Sequence, residues 1–112
     1  MANASGADYF LSIHRNSSPY DNQYTGVESL VYSKNGIAKI IAENINRELT
    51  RVGFVNQGIQ ERPNLAVLRR TDMPAVLVEV GFINTDKDNI RFDTQFQEIA
   101  RAIATGLLKS IS

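Results

Sequence analysis

The sequence predicts an α/β domain, a mostly parallel sheet flanked by helices, on three observations. Two runs, Tyr9–His14 and Ala75–Ile83, are almost continuously apolar, as strands buried on both faces of a parallel sheet are. Two other stretches repeat apolar residues at helical spacing. Strands separated by helices then bury their apolar sides most simply in layers. With 112 residues, the chain has room for one core and one domain, residues 1–112.

Each element follows in order. Residues 8–14 read as the first strand, and the polar, turn-rich stretch 15–25 as a loop. Gly26–Tyr32 reads as a second strand. Ile37, Ile41, Ile45, Leu49 and Val52 make one helical stripe, with Lys39, Glu43, Asn46 and Arg47 elsewhere on the surface and Gly53 placed to stop the helix. A short strand is expected at Gly58-Ile59-Gln60, another at Leu65–Arg69, and the most apolar one at Ala75–Val80. Thr85-Asp86-Lys87-Asp88 has the capping-box pattern and opens a short helical turn. Thr94-Gln95-Phe96-Gln97 repeats that pattern before a final helix whose stripe is Phe96, Ile99/Ala100, Ile103, Leu107 and Ile111.

Twelve basic and twelve acidic side chains cancel, so no field marks the chain for nucleic acid or an acidic membrane. No segment approaches the roughly 20 apolar residues of a membrane span. The first residues have neither the basic region nor the apolar core of a signal peptide, so any export signal is expected outside them. Cysteine is absent, which removes disulfides, thiol nucleophiles and thiolate metal sites.

Glu79 stands inside the most apolar run. An ionised carboxylate there costs several kcal/mol, roughly, unless it is paired, metal-bound or protonated. His14, the single histidine, ends the other apolar run. Sites in parallel sheets form beyond the carboxyl ends of strands, so two such strands would bring His14 and Glu79 to one edge. A histidine and a buried carboxylate there make either a metal site with a base or an acid/base pair. Structural readings compete with both. A lone histidine such as His14 is more often a hydrogen-bonded strand end than a ligand, and Glu79 is equally a buried ion pair with Arg69, Arg70 or Arg101. Asn16 and Ser17 are good turn formers, and Arg69-Arg70 reads as a solvated strand end or an anion clamp. Tyr20 and Tyr24 are expected to tuck inward rather than stack on a ligand.

Four blocks, taken in order, go further: Ala7-Asp8-Tyr9-Phe10-Leu11-Ser12-Ile13-His14-Arg15-Asn16, Gly26-Val27-Glu28, Val67-Leu68-Arg69, and Met73-Pro74 through Ile83. Together they closely resemble the zinc-dependent N-acetylmuramoyl-L-alanine amidases of type 3, over essentially the whole chain. Met1-Ala2-Asn3 looks like the end of the helix that precedes the Ala-Asp strand in that family. The resemblance implies cleavage of the amide joining N-acetylmuramic acid to the first L-alanine of the peptidoglycan stem. It makes His14, in Ser-Ile-His-x-Asn, a zinc ligand and Glu79, in Leu-Val-Glu-x-Gly-Phe, the catalytic carboxylate. Zinc would activate a water, Glu79 would take its proton and pass it to the departing nitrogen. Asn16 and Arg69 are expected to contact substrate.

The chain also departs from the family pattern. The family's Asp-x-Gly-His-Gly-Gly motif and the Glu on the following helix, which supply the other two ligands, have no counterpart here. Asp8 and Glu28 lie near His14 by strand position, but neither matches a family ligand, and Glu28 is expected to serve the polar edge of the second strand. The resemblance therefore implies the C-terminal portion of an amidase catalytic domain, without the family's first strand(s) and helix. Such a chain is expected to hold Zn2+ weakly or not at all, to be inactive alone, and to self-associate through an uncovered sheet edge. The parent protein would act on peptidoglycan stem peptide and glycan in the cell wall, extracellularly or in a periplasm, as autolysins, sporulation amidases and phage lysins do. A non-catalytic peptidoglycan-binding or regulatory module is the rival. The absent ligands favour the rival; retention of His14 and Glu79 favours an enzyme.

Overall fold

The computed structural model describes residues 9–34, 36–69 and 73–111. Along the chain run β1 (Phe10–Asn16), β2 (Val27–Val31), α1 (Ile37–Val52), β3 (Asn56–Glu61), α2 (Ala66–Arg69), β4 (Ala75–Phe82), α3 (Asp86–Thr94) and α4 (Phe96–Ile111). The strands form one sheet in the order β1-β4-β2-β3. β1 is parallel to β4 and β2 to β3, while β2 and β4 run antiparallel. The expected α/β architecture is present, and two of its three strand pairings are parallel.

The alternation of side chains along β2 and β4 divides the sheet into two unlike faces. Val76, Val78 and Val80 of β4 and Val27 and Val31 of β2 join Ile41, Ile45, Leu49, Ile99 and Ile103 in the main core, so α1 and α4 cover this face. The stripe of α1 is buried along Ile41, Ile45 and Leu49, and Gly53 stops the helix with φ 122°, its N–H reaching the carbonyls of Leu49 and Thr50. α1 and α4 approach so closely at Gly106 that a Cβ there would stand 2.6 Å from Ile45 Cα. On the opposite face, Ala75 and Leu77 of β4, Leu30 of β2 and Leu68 of α2 form a smaller cluster with Phe10 and Leu65 beside it. Glu79 follows Leu77 on that second face.

Four expectations are corrected. Leu65–Arg69 is not a strand. A turn at Pro63-Asn64 leads into α2, with Leu65 N–H donating to Arg62 O at 3.2 Å and Leu68 N–H to Leu65 O at 3.1 Å. A run of only five residues, with Leu68 buried, satisfies a helical turn as well as a strand. β1 is not buried on both faces: it lies at the edge of the described sheet, with Ile13 56 % exposed. The capping boxes do not close. Thr85 precedes α3 but makes no side-chain cap; its hydroxyl donates to Tyr24 O. Thr94 donates to Ile90 O within its own helix. Finally, α3 is a nine-residue helix rather than a single turn.

Asp88 explains why the first box fails. Its side chain is buried (1 % exposed) and turned away from the helix start. One oxygen accepts from Gly26 N–H (3.0 Å) and Phe82 N–H (2.9 Å), the other from the Thr25 hydroxyl (2.6 Å). This carboxylate ties the end of β4 to the start of β2. Asn84 ties the same loop from the other side, donating to Ser18 O at 2.8 Å and accepting from Ser18 N–H at 3.2 Å. Segment 17–26 is thereby held against the carboxyl end of β4. Met1-Ala2-Asn3, Asp8 and Arg70 lie outside the described residues, and so does the side chain of Arg69, whose backbone closes α2.

Candidate active site

His14 and Glu79 are direct register partners on the parallel strands β1 and β4. Both point to the face away from α1 and α4, a few residues before their strands end. Ser12, two residues back on the same face, shares a 2.8 Å hydrogen bond with His14 Nε2, which holds the exposed ring in place. Asn16 follows after an irregularity in the register, opposite Phe82. Its Oδ1 accepts from Ser17 N–H at 2.8 Å, so the turn-forming role and a place at the site coexist.

Glu79 is the carboxylate without a companion. Its Oε2 is buried and has no hydrogen-bond partner among the described residues. The ion pair with Arg101 does not form: among the described residues the salt bridges are those of Glu48 with Arg51 and Lys109. Burial pushes the Glu79 carboxyl above the ordinary carboxylate range; His14 pulls it back down and Glu28 raises it further. A protonatable group held in this way beside an imidazole is what proton transfer near neutral pH requires.

Glu28 was expected at a polar edge, and the structure corrects this. It is the antiparallel register partner of Glu79, so His14, Glu79 and Glu28 form one row across β1, β4 and β2. Like charges directly opposite on a sheet oppose folding, which gives Glu28 the same unexplained cost as Glu79. The signal was available: within Val27–Val31, Glu28 shares its face with Leu30, and only Glu28 breaks the apolar sequence on that face.

Beside this row lies a pocket of about 280 Å³ lined by Asn16, Ser17, Ser18, Pro19, Tyr24, Glu28, Gln57 and Phe82. Tyr20 and Tyr24 do not tuck inward: they are 73 % and 50 % exposed, and Tyr24 forms a pocket wall with its ring 6.0 Å from that of Phe82. The backbone bonds of the loop to Asn84 and Asp88 satisfy its polar groups and leave these rings at the surface.

The family model described as N-acetylmuramoyl-L-alanine amidase matches residues 1–109. The chain belongs to this family. It is 37 % identical over 115 residues to N-acetylmuramoyl-L-alanine amidase CwlM of Bacillus licheniformis, covering 99 % of this chain and 44 % of that protein. It is 39 % identical over 110 residues to a sporulation-specific N-acetylmuramoyl-L-alanine amidase of Bacillus subtilis, covering 95 % and 41 %. Among solved structures, an N-acetylmuramoyl-L-alanine amidase of Clostridium difficile superposes with a TM-score of 0.85 at 33 % identity, over 96 % of this chain and 60 % of that one. The CwlD amidase of Clostridioides difficile, solved in complex with the GerS lipoprotein, gives 0.86 at 30 % identity, over 98 % and 57 %. The chain thus spans less than half the length of the curated relatives named.

The family resemblance implies zinc, and the donor set of this chain can be tested against it. One imidazole is present in the sequence, one of its nitrogens is bonded to Ser12, and no cysteine exists. Among the described residues, no three His, Cys, Asp or Glu side chains stand close enough to hold a metal ion. A catalytic zinc takes three protein ligands and an open position. These residues do not supply that set, so His14 enters here as an imidazole next to a carboxylate.

Proposed function

We propose that this chain carries the proton-transfer half of a cell-wall amidase centre, with Glu79 as its general base. The observation that carries the reading is Glu79 itself: a partly buried carboxylate, one oxygen unpartnered, in register with the only histidine, in a member of the amidase family. Burial keeps this carboxyl basic enough to take a proton from water as the water attacks the amide carbon. The same carboxyl then returns the proton to the departing alanine nitrogen, so that an amine leaves rather than an amide anion. His14 stays within reach of Glu79 and stabilises its charged form.

The substrate class is the peptidoglycan amide between muramic acid and L-alanine, and the place of action is the cell wall. Among the described residues no helix is long and apolar enough to cross a membrane. The incomplete donor set supports a second statement: this chain by itself does not retain zinc and does not turn over. It also keeps the rival reading of a non-catalytic wall-binding module, which has no use for the costs of Glu79.

The experiment measures zinc content after dialysis and the amino-terminal alanine released from purified cell walls. Substoichiometric zinc and no release are expected for the chain alone. Exchanged for the matching segment of a full-length relative, the same residues support cleavage, and E79Q there lowers turnover on the order of 10²–10⁴-fold with wall binding intact. Stoichiometric zinc with normal turnover by the chain alone would overturn the second statement. Undiminished turnover in the E79Q exchange would overturn the role of Glu79 and leave the binding module.

A further inference from the structure

The pocket beside the His14–Glu79–Glu28 row has a composition that narrows what can enter it. Glu28 is half-buried in its wall, and no cation among the described residues pairs with it. Gln57 spends its amide nitrogen on Thr25 O at 2.7 Å, which leaves its Oε1 as an acceptor. Asn16 spends its Oδ1 on Ser17 N–H. Among the described residues no Lys, Arg or His lines the space, while Tyr24, Pro19 and Phe82 give it an apolar wall. The site therefore carries an unpaired carboxylate and the free amide oxygen of Gln57, beside a surface against which an aliphatic chain can lie. A ligand with an ammonium group on a methylene stem fits these three properties together. A neutral sugar uses the aromatic wall but leaves Glu28 without a counter-charge, and a carboxylate is repelled.

We propose that this pocket binds the amine-bearing residue of a short peptide, with Glu28 as its counter-ion and Tyr24 and Gln57 as flanking contacts. The assignment rests on the amidase reading, because it places the peptide side of the substrate next to the cleavage point. Glu28 is the cross-strand neighbour of Glu79, so a peptide anchored there passes the base at once. Glu28 is thus a specificity residue, and its like-charge opposition to Glu79 is relieved when the ligand's ammonium arrives.

The test uses the 112-residue chain, ¹⁵N-labelled, with three probes: the tripeptide Ala-Glu-Lys, the same peptide with its lysine amine acetylated, and an N-acetylglucosamine trimer. The free-amine peptide is expected to shift the amide signals of Ser17, Ser18, Tyr24, Gln57 and Phe82, and to bind at least about fivefold more tightly than the acetylated form at low salt. E28Q, which removes a like-charge opposition and so does not threaten the fold, is expected to erase that preference. Equal binding of the two peptides, a preference for the sugar trimer at these residues, retention of the preference in E28Q, or no shift up to the solubility limit each overturns the proposal. None of these outcomes touches the E79Q cleavage test, so the pocket can fail while the amidase reading stands.

Discussion

Replacing Asp88 by Ala tests how the site is held together. The Asp88 carboxylate accepts three hydrogen bonds in a buried position, two from the backbone N–H groups of Gly26 and Phe82 and one from the Thr25 hydroxyl. Alanine leaves both N–H groups buried without an acceptor, and each such group costs about 1–3 kcal/mol. The hydroxyl can rotate to another partner and adds little. The expected loss is about 3–5 kcal/mol, a large part of the stability of a domain this size. It corresponds to a fall in Tm of roughly 10–20 °C. Asp88→Asn is the informative companion. An amide oxygen in the place of the Oδ2 that serves Gly26 and Phe82 keeps both backbone bonds, and its NH₂ faces a Thr25 hydroxyl able to accept. It should cost well under half of what alanine costs. Urea unfolding followed by circular dichroism gives both differences. A loss below about 1 kcal/mol for D88A, or equal losses for the two variants, would refute the claim that these three bonds fasten segment 17–26 to β4.

Two other outcomes follow from the same structure. The raised Glu79 carboxyl means that, between the ordinary carboxylate pKa and its folded value, the folded chain binds more protons than the unfolded one. Stability contributed by this group therefore falls as pH rises through that window, and E79Q should be more stable than wild type at neutral pH, the gap closing on acidification; parallel stability curves across the acid range would contradict this. Gly106→Ala gains helix propensity but drives its Cβ to 2.6 Å and 2.7 Å from the Ile45 backbone, which cannot yield as a side-chain tip would. We expect a net destabilisation of roughly 1–3 kcal/mol in thermal unfolding, and a stabilised variant would show that α1 and α4 sit farther apart.

How much of this was legible in advance depends on the length of the pattern. The stripes of α1 and α4 repeat over several turns, and β4 is too long and too apolar to be anything but a strand, so these elements were readable. Leu65–Arg69 was not, because a run that short fits two periodicities. The capping boxes were misread for a different reason. Thr85 and Asp88 have the right spacing, but a carboxylate goes where the largest number of orphaned N–H groups is, and those belong to Gly26 and Phe82, about 60 and 6 residues away.

The site divides the same way. Sequence alone marked Glu79 and His14, since a charge inside an apolar run and a lone imidazole at a strand end are local facts with local costs. It also showed a single histidine and no cysteine, because those counts are properties of composition. Only the tertiary structure decided what stands beside them. The antiparallel pairing of β2 with β4 brings Glu28 against Glu79 across 51 residues of chain, and the Asp88 and Asn84 bonds turn Tyr24 outward into a pocket wall. Register and strand direction are set by packing of both sheet faces at once, and no local pattern contains that information.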